Sequence, residues 1–289
     1  MSASREGWRI DRGDGGYPDC LESTPHPPDI LWGMGDPALL RPGLAIIGAR
    51  RATPYGLSCA RMFAGWAAEH GVVVISGGAV GCDRAAHEAA LDAEGSTVAV
   101  LGCGPDVDYP RDSDGLMRRI RERGATLAEL PWGVGPRAYH FPKRNRLIAG
   151  LAGAVLVVEA ALPSGTFSTA DHAIAADREV WAVPGSILYA GCRGSNTLLT
   201  QGAIPICDVT DLATALERVG LCRDKPGETP PPARVTDRLA AALLADPMRP
   251  DDAAFALRTD IVTIIRQISL LEQEGVVRRY PDGRYGALR

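Results

Sequence analysis

The chain has 289 residues, of which 46% are hydrophobic and 23% charged, a balance typical of an ordinary globular protein. Its formal net charge of -4 at pH 7 excludes a protein coated in positive potential but is compatible with a local basic groove. No segment approaches the roughly eighteen apolar residues of a membrane span, and the amino terminus lacks the apolar centre of a signal peptide. We therefore predict a cytoplasmic protein that does not bind membranes.

The first 43 residues are rich in proline and glycine, and we predict that residues 1–43 form an extended lead-in with little helix. From Leu44 onward, short apolar runs alternate with segments of helical length. The runs lie at residues 44–48, 72–76, 97–102, 126–130, 154–160, 179–185 and 203–207. Strands that are apolar throughout and alternate with helices indicate a parallel sheet covered on both faces. We therefore predict a Rossmann-like, doubly wound, mostly parallel α/β domain over residues 44–222.

Residues 223–233 hold a cluster of prolines and charges that predicts a linker, and residues 234–289 are predicted to form a separate small domain. Three helices followed by a hairpin with Asp-Gly at its turn indicate a winged helix-turn-helix. Its candidate recognition helix offers a single arginine, which favours a protein–protein or dimer-supporting role over duplex reading. The plausible phosphate contacts on the wing are Arg278, Arg279 and Arg284.

Loops that follow the predicted strands should meet at the carboxyl edge of the sheet, where open parallel sheets bind ligands. Three of these loops place glycines and small hydroxyl residues where a strand turns into a helix. Such loops bind anions through free N–H groups and the helix dipole, so phosphate is the expected ligand. Neither G-x-G-x-x-G nor G-x-x-x-x-G-K-[ST] occurs, and the seven cysteines are scattered without a metal-binding pattern. We therefore predict no cofactor and no metal.

The segment FPKRNR at residues 141–146 places an aromatic ring close to Lys143, Arg144 and Arg146. Single-stranded nucleic acid binds where aromatic faces accept bases and cations accept phosphates. Because the segment is predicted to lie at the same rim as the phosphate-binding loops, it indicates a single-stranded nucleic-acid interface.

Catalysis has weaker support. The nucleophile elbow G-x-S-x-G is absent, and no histidine is tied by spacing to a nucleophile. Asp83, Glu129 and Glu159 end strands or open helices, where carboxylates also cap helices and orient arginines. The sequence therefore favours a binding protein over an enzyme.

Several motifs occur together in a characteristic order: GARRATPYG, SGGAVGCDRAAHEAAL, FPKRNRLIAGL, SGTFSTA and GSNTLLTQGA. In this order and spacing they resemble the DprA family, also called Smf, the DNA-processing proteins of natural transformation. The resemblance covers roughly residues 17–215, and the terminal winged helix resembles the family's usual carboxy-terminal module. It implies a Rossmann-like homodimer that binds single-stranded DNA, protects it and loads the RecA recombinase onto it, without enzymatic turnover.

The same resemblance implies a set of DNA- and phosphate-binding residues. Arg50 would grip a phosphate, Phe141 would stack on a base, and Asn145 would hold the loop or a phosphate. The full predicted set is Arg50, Arg51, Ser76, Gly77, Phe141, Lys143, Arg144, Asn145, Arg146, Ser164, Gly165, Thr166, Ser168 and Thr169.

Two positions depart from the family pattern, because Val80 and Asp171 stand where the family carries cations. An alternative resemblance is to the LOG-type nucleoside-monophosphate phosphoribohydrolases, whose P-G-G-x-G-T-x-x-E loop is echoed by PSGTFSTAD with Asp171 near the acidic position. The alternative function is therefore a LOG-like nucleotide-binding sensor or nucleotide hydrolase.

Overall fold

The computed structural model describes residues 7–110, 113–222 and 235–287. The chain divides into two units, Met1–Ala52 with Cys59–Asp224 and Thr53–Ser58 with Lys225–Arg289. The predicted linker at residues 223–233 lies outside the described residues.

The first unit is built on a nine-stranded sheet with the strand order β1-β2-β6-β5-β4-β3-β7-β8-β9. All neighbouring pairs from β6 to β9 in this order are parallel, whereas β1–β2 and β2–β6 are antiparallel. The strands are β1 (Trp8–Asp11), β2 (Ile30–Gly35), β3 (Gly43–Ile47), β4 (Val74–Ser76), β5 (Thr97–Val100), β6 (Ala125–Ala128), β7 (Ala152–Val157), β8 (Glu179–Ala182) and β9 (Ile204–Pro205).

Helices connect these strands and shield the sheet from water. They are α1 (Asp19–Glu22), α2 (Pro54–Glu69), α3 (Cys82–Asp92), α4 (Asp114–Arg123), α5 (His140–Leu151), α6 (Thr166–Ala175), α7 (Arg193–Thr200) and α8 (Val209–Arg218). The central strands are buried on both faces, and every residue of β3 is buried. This explains why their sequences are apolar throughout rather than alternating, and it confirms the predicted doubly wound α/β fold.

The amino-terminal segment differs from the predicted lead-in, because it contributes β1 and β2 to the edge of the sheet. Gly33 in β2 pairs with Leu127 of β6. A Cβ atom at Gly33 would lie 2.1 Å from the Trp8 ring, and the Trp8 indole donates a 3.0 Å hydrogen bond to the carbonyl oxygen of Gly35. The glycines that suggested irregular chain therefore make room for a tryptophan to lie flat on the strand.

The second unit contains three helices and a hairpin, in the predicted order of a winged helix. The elements are α9 (Val235–Ala245), α10 (Pro250–Leu257), α11 (Ile261–Gln273), β10 (Val277–Arg279) and β11 (Tyr285–Ala287). Its core is formed by Leu239, Leu243, Ile264, Ile268 and Leu271. On the wing, Arg284 forms a 2.6 Å ion pair with Asp282. The pair offsets the charge of one of the three arginines predicted to contact phosphate.

Candidate nucleic-acid interface

A cavity of roughly 580 Å³ opens on the first unit at the carboxyl edge of the sheet. It lies between the loop after β3, the amino-terminal half of α5 and the start of α6. Eight of the fourteen predicted site residues line it: Arg50, Phe141, Arg144, Asn145, Ser164, Gly165, Thr166 and Thr169. The structure thus brings together the aromatic ring, two arginines and the hydroxyl-rich loop.

Arg144 lies at the base of this cavity and is only 6% exposed. Its Nη1 donates hydrogen bonds to the carbonyl oxygens of Gly77 and Val100, while its Nε has no hydrogen-bond partner among the described residues. Burial lowers the pKa of Arg144 to about 10, so the guanidinium stays protonated at neutral pH. Asp83 faces it and accepts a 3.1 Å hydrogen bond from the backbone N–H of Gly77. Arg144 therefore supplies a fixed positive charge and also holds two strand-ending loops together.

Phe141 forms one wall of the cavity, together with Tyr109. The two ring centres are 5.4 Å apart, and the guanidinium carbon of Arg50 lies 5.4 Å from the centre of the Phe141 ring. A Cβ atom at Gly102 would meet the Phe141 ring at 2.8 Å, so the glycine allows this ring to pack closely on the loop after β5. Arg50 is exposed. An aromatic face and an exposed cation therefore lie side by side in the cavity lining.

The loop before α6 forms the opposite wall. Ser164 Oγ accepts a 3.2 Å hydrogen bond from the backbone N–H of Thr166, and Asn145 Nδ2 donates a 2.8 Å hydrogen bond to Ser168 Oγ. Asn145 also reaches the carbonyl oxygen of Gly165 at 3.4 Å. These contacts connect Asn145 of α5 to the loop before α6. The ten-residue helix α6 directs its amino terminus into the cavity, where its dipole favours an anion.

Lys143 and Arg146 lie on the other side of α5 and do not line the cavity. Both form ion pairs with Glu129, at 3.2 Å from Lys143 Nζ and 2.5 Å from Arg146 Nη2. Arg146 also donates a 2.5 Å hydrogen bond to the carbonyl oxygen of His26. The structure thus divides the cations of FPKRNR between two faces of one helix and offsets part of their charge with Glu129.

Four other predicted residues are also placed away from the cavity. Ser76 is fully buried, and its hydroxyl donates a 2.6 Å hydrogen bond to the carbonyl oxygen of Ile46. Gly77 has both backbone groups engaged, by Asp83 and Arg144. Arg51 is exposed outside the cavity lining, and Ser168 acts as the partner of Asn145. Ser76 and Gly77 therefore hold the loop in place rather than offering groups to a ligand.

The two positions that depart from the family pattern are both on the surface. Val80 is 40% exposed on the loop before α3, and Asp171 is exposed within α6. Neither lines the cavity. Asp171, the acidic residue of the nucleotide-hydrolase alternative, is therefore not part of the cavity wall, whereas the carboxyl group of Asp83 is.

The sequence comparisons now decide the family. A model of the family named DNA recombination-mediator protein A matches residues 8–217. The chain belongs to this family. A protein named DprA in Mycobacterium tuberculosis is 43% identical over 220 residues, and protein Smf of Escherichia coli is 41% identical over 203 residues. These matches cover 75% and 70% of this chain but only 56% and 54% of the relatives, so the chain spans about half their length.

Solved structures of family members share the fold. The X-ray structure of DprA from Streptococcus pneumoniae has a TM-score of 0.69 and 35% identity, covering 73% of this chain and 74% of that one. DprA from Helicobacter pylori, whose structure concerns its single-stranded DNA binding mode, has a TM-score of 0.67 and 29% identity, covering 75% and 99%. The resemblance to DprA and the Rossmann-like fold predicted from the sequence are both confirmed.

The sequence reasoning missed some residues of the cavity wall, among them Tyr109 and Arg137. Tyr109 lies in the long loop after β5, and its ring contact with Phe141 depends on how that loop folds back. Arg137 is exposed four positions before Phe141. A search for every aromatic or cationic residue in the loops that follow strands would have included both.

Proposed function

We propose that the chain binds single-stranded DNA in the cavity of its Rossmann-like domain, protects incoming DNA and loads the RecA recombinase during natural transformation and recombination, without enzymatic turnover. The observation that carries the DNA-binding proposal is the placement of Arg50, Phe141 and the amino terminus of α6 around one cavity. These three features offer a cation, a base-stacking face and an anion site within the reach of consecutive nucleotides.

A phosphate fits at the start of α6. The start of α6 lines the cavity, where the helix dipole favours an anion, and the hydroxyls of Ser164 and Thr166 lie beside it. Arg144 below the site adds a positive charge in a desolvated position, and the neighbouring Asp83 offsets part of it. Arg50 supplies a cation that can follow the strand at the rim.

A base fits against Phe141, which is partly exposed at the cavity wall. Stacking needs an open base face, which a duplex hides and a single strand offers. The Helicobacter relative, solved for its single-stranded DNA binding mode, supports this ligand for the shared fold. RecA loading and a homodimer through the Rossmann-like domain are carried by family membership alone.

The test is fluorescence anisotropy with a labelled oligothymidylate and a duplex of the same length. We expect tighter binding of the single strand and no hydrolysis of nucleoside monophosphates. Equal affinity for both forms would contradict the base-stacking role of Phe141, and release of free base from a nucleoside monophosphate would support the hydrolase alternative. RecA loading is tested by the rate at which RecA begins ATP hydrolysis on DNA bound by this protein, and the homodimer by analytical ultracentrifugation.

A further inference from the structure

The turn after β8 carries two aliphatic side chains where turns normally carry small or polar residues. The backbone N–H of Tyr189 donates a 3.2 Å hydrogen bond to the carbonyl oxygen of Ser186, which closes a turn with Ile187 and Leu188 at its centre. Ile187 is 87% exposed and Leu188 is 92% exposed. Glycine, asparagine, aspartate and serine dominate such positions because of their backbone preferences. Neither aliphatic side chain contributes to the core, so folding alone does not explain them.

Hydrogen bonds tie the turn to α7 and the start of α7 to the loop after β7. Asn196 clamps Gly185 with two 3.0 Å hydrogen bonds, and the backbone N–H of Gly194 donates a 2.7 Å hydrogen bond to the carbonyl oxygen of Ala160. Residue 160 belongs to the loop after β7, whose Ser164 lines the cavity. The same loop exposes Leu162. Leu162, Ile187, Leu188 and Tyr189 are thus exposed apolar side chains on the two loops that follow the neighbouring strands β7 and β8, and we call this set the apolar strip.

The charge around this strip favours a polyanion. Residues 161–170 contain no charged residue, and residues 180–207 contain one, Arg193. Arg193 is exposed at the start of α7. In a chain with 35 acidic residues these two stretches lack a carboxylate that would repel phosphates, and the carboxyl group that acts on Tyr189, that of Glu159, is buried.

We propose that this strip binds the bases of the single strand after it leaves the cavity, with Arg193 contacting a phosphate. The inference rests on the proposed DNA binding and adds a path along the carboxyl ends of β7 and β8. The exposed apolar area of four side chains is on the order of a few hundred Å², below the roughly 800 Å² that each partner buries in a stable interface. Unstacked bases, which need only small apolar platforms, fit the strip better than a second copy of the chain.

The test compares two oligonucleotides of equal length and charge, a long oligothymidylate and one in which all but the first few nucleotides are abasic. The wild-type chain should bind the oligothymidylate about five- to tenfold more tightly. Ile187→Ser combined with Leu188→Ser should remove this preference without changing the salt dependence. Arg193→Ala should keep the preference and lower the salt slope by up to about one unit. Ile174→Gln, an exposed aliphatic near the end of α6, is the matched control and should behave as wild type.

Three other results would contradict the inference or the proposed function. If the double variant keeps the full preference for bases, the strip is not on the DNA path and the inference is wrong. If the double variant instead changes the sedimentation coefficient and leaves DNA affinity intact, the strip is a contact between copies of the chain. If the wild-type chain binds no single-stranded oligonucleotide at all, the proposed function fails first.

Discussion

The guanidinium of Arg144 donates a 2.6 Å hydrogen bond to the carbonyl oxygen of Gly77. A Cβ atom at residue 77 would lie 2.5 Å from Arg144 Nη1 and 2.7 Å from Asp83 Oδ2, so only glycine lets the two charged groups close over this loop. The arginine thereby links α5 to the loops after β4 and β5. Its exposed neighbour Arg50 does not have this linking role.

Arg144→Ala should therefore lower the free energy of unfolding, in addition to any effect on DNA binding. It would leave Asp83 and two backbone carbonyl oxygens buried without their partner, which costs on the order of 3 to 5 kcal/mol of unfolding free energy. Urea unfolding followed by circular dichroism measures the loss. Arg51→Ala, an exposed control from the loop after β3, should change the unfolding free energy by less than about 0.5 kcal/mol. Similar stabilities for the two variants would show that Arg144 is not a structural clamp.

Arg50→Ala and Phe141→Ala should weaken DNA binding in different ways. Loss of the cation should lower the slope of log affinity against log salt by up to about one unit, because one fewer phosphate is neutralised. Loss of the ring should cost about 1 to 3 kcal/mol in binding free energy and leave that slope nearly unchanged. Anisotropy titrations at several salt concentrations measure both quantities.

Lys143→Ala provides a matched control for Arg50→Ala. Lys143 carries the same charge, but it lies outside the cavity and is paired with Glu129. Its loss should change the salt slope less than the loss of Arg50. A larger effect at Lys143 would move the DNA path to the other face of α5.

The sequence predicted most of the sheet because β3 to β8 are mostly apolar, and it predicted the loops of the site because they follow those strands. It did not predict which way the cations of FPKRNR point. The structure begins α5 at His140, so Phe141, Arg144 and Asn145 share one face while Lys143 and Arg146 turn to the other. The 3.6-residue period separates these two sets once the segment is helical, but Pro142 is compatible with a helix that begins before it or at it. Glu129, which lies outside α5, forms ion pairs with Lys143 and Arg146 on the second face.

Acid should destabilise the fold through His87. Its Nδ1 lies 2.7 Å from Thr97 Oγ1, whose hydroxyl proton is donated to the carbonyl oxygen of Val74, so Nδ1 is the donor and Nε2 has no partner among the described residues. Burial, with a smaller contribution from Arg144, lowers the pKa of His87 to about 3. The unfolded side chain titrates near 6.5. Between about pH 6.5 and about pH 3 the His87 side chain is protonated in the unfolded state but neutral in the folded state. The free energy of unfolding therefore falls as the pH drops through this range.

The expected loss from His87 is on the order of 4 kcal/mol across that window. Urea unfolding of the wild type and of His87→Asn at a series of pH values measures it. Asparagine can keep the hydrogen bond to Thr97 but does not titrate. The variant should be less stable at neutral pH and should lose less stability on acidification. If the free energy of unfolding falls equally with decreasing pH in both proteins, His87 does not cause the loss of stability in acid.

Val80→Arg combined with Asp171→Arg should strengthen DNA binding. Both positions are exposed, Val80 does not pack into the core, and Asp171 lies inside α6 rather than at its cap. The substitutions add one and two positive charges near the cavity without displacing a buried group, so the unfolding free energy should change by less than about 1 kcal/mol. Each new phosphate contact should raise the salt slope by up to about one unit and tighten binding at low salt.

A control for Val80→Arg with Asp171→Arg must add the same positive charge away from the cavity. Thr200→Arg with Glu217→Arg also adds three positive units, on exposed residues near the carboxy-terminal ends of α7 and α8, where the chain runs away from the cavity edge. If both double variants bind DNA equally well, the gain comes from net charge alone. If only Val80→Arg with Asp171→Arg gains affinity and slope, the single strand passes over the loop before α3 and the surface of α6. A folded variant with wild-type affinity and slope would place both residues off the DNA path.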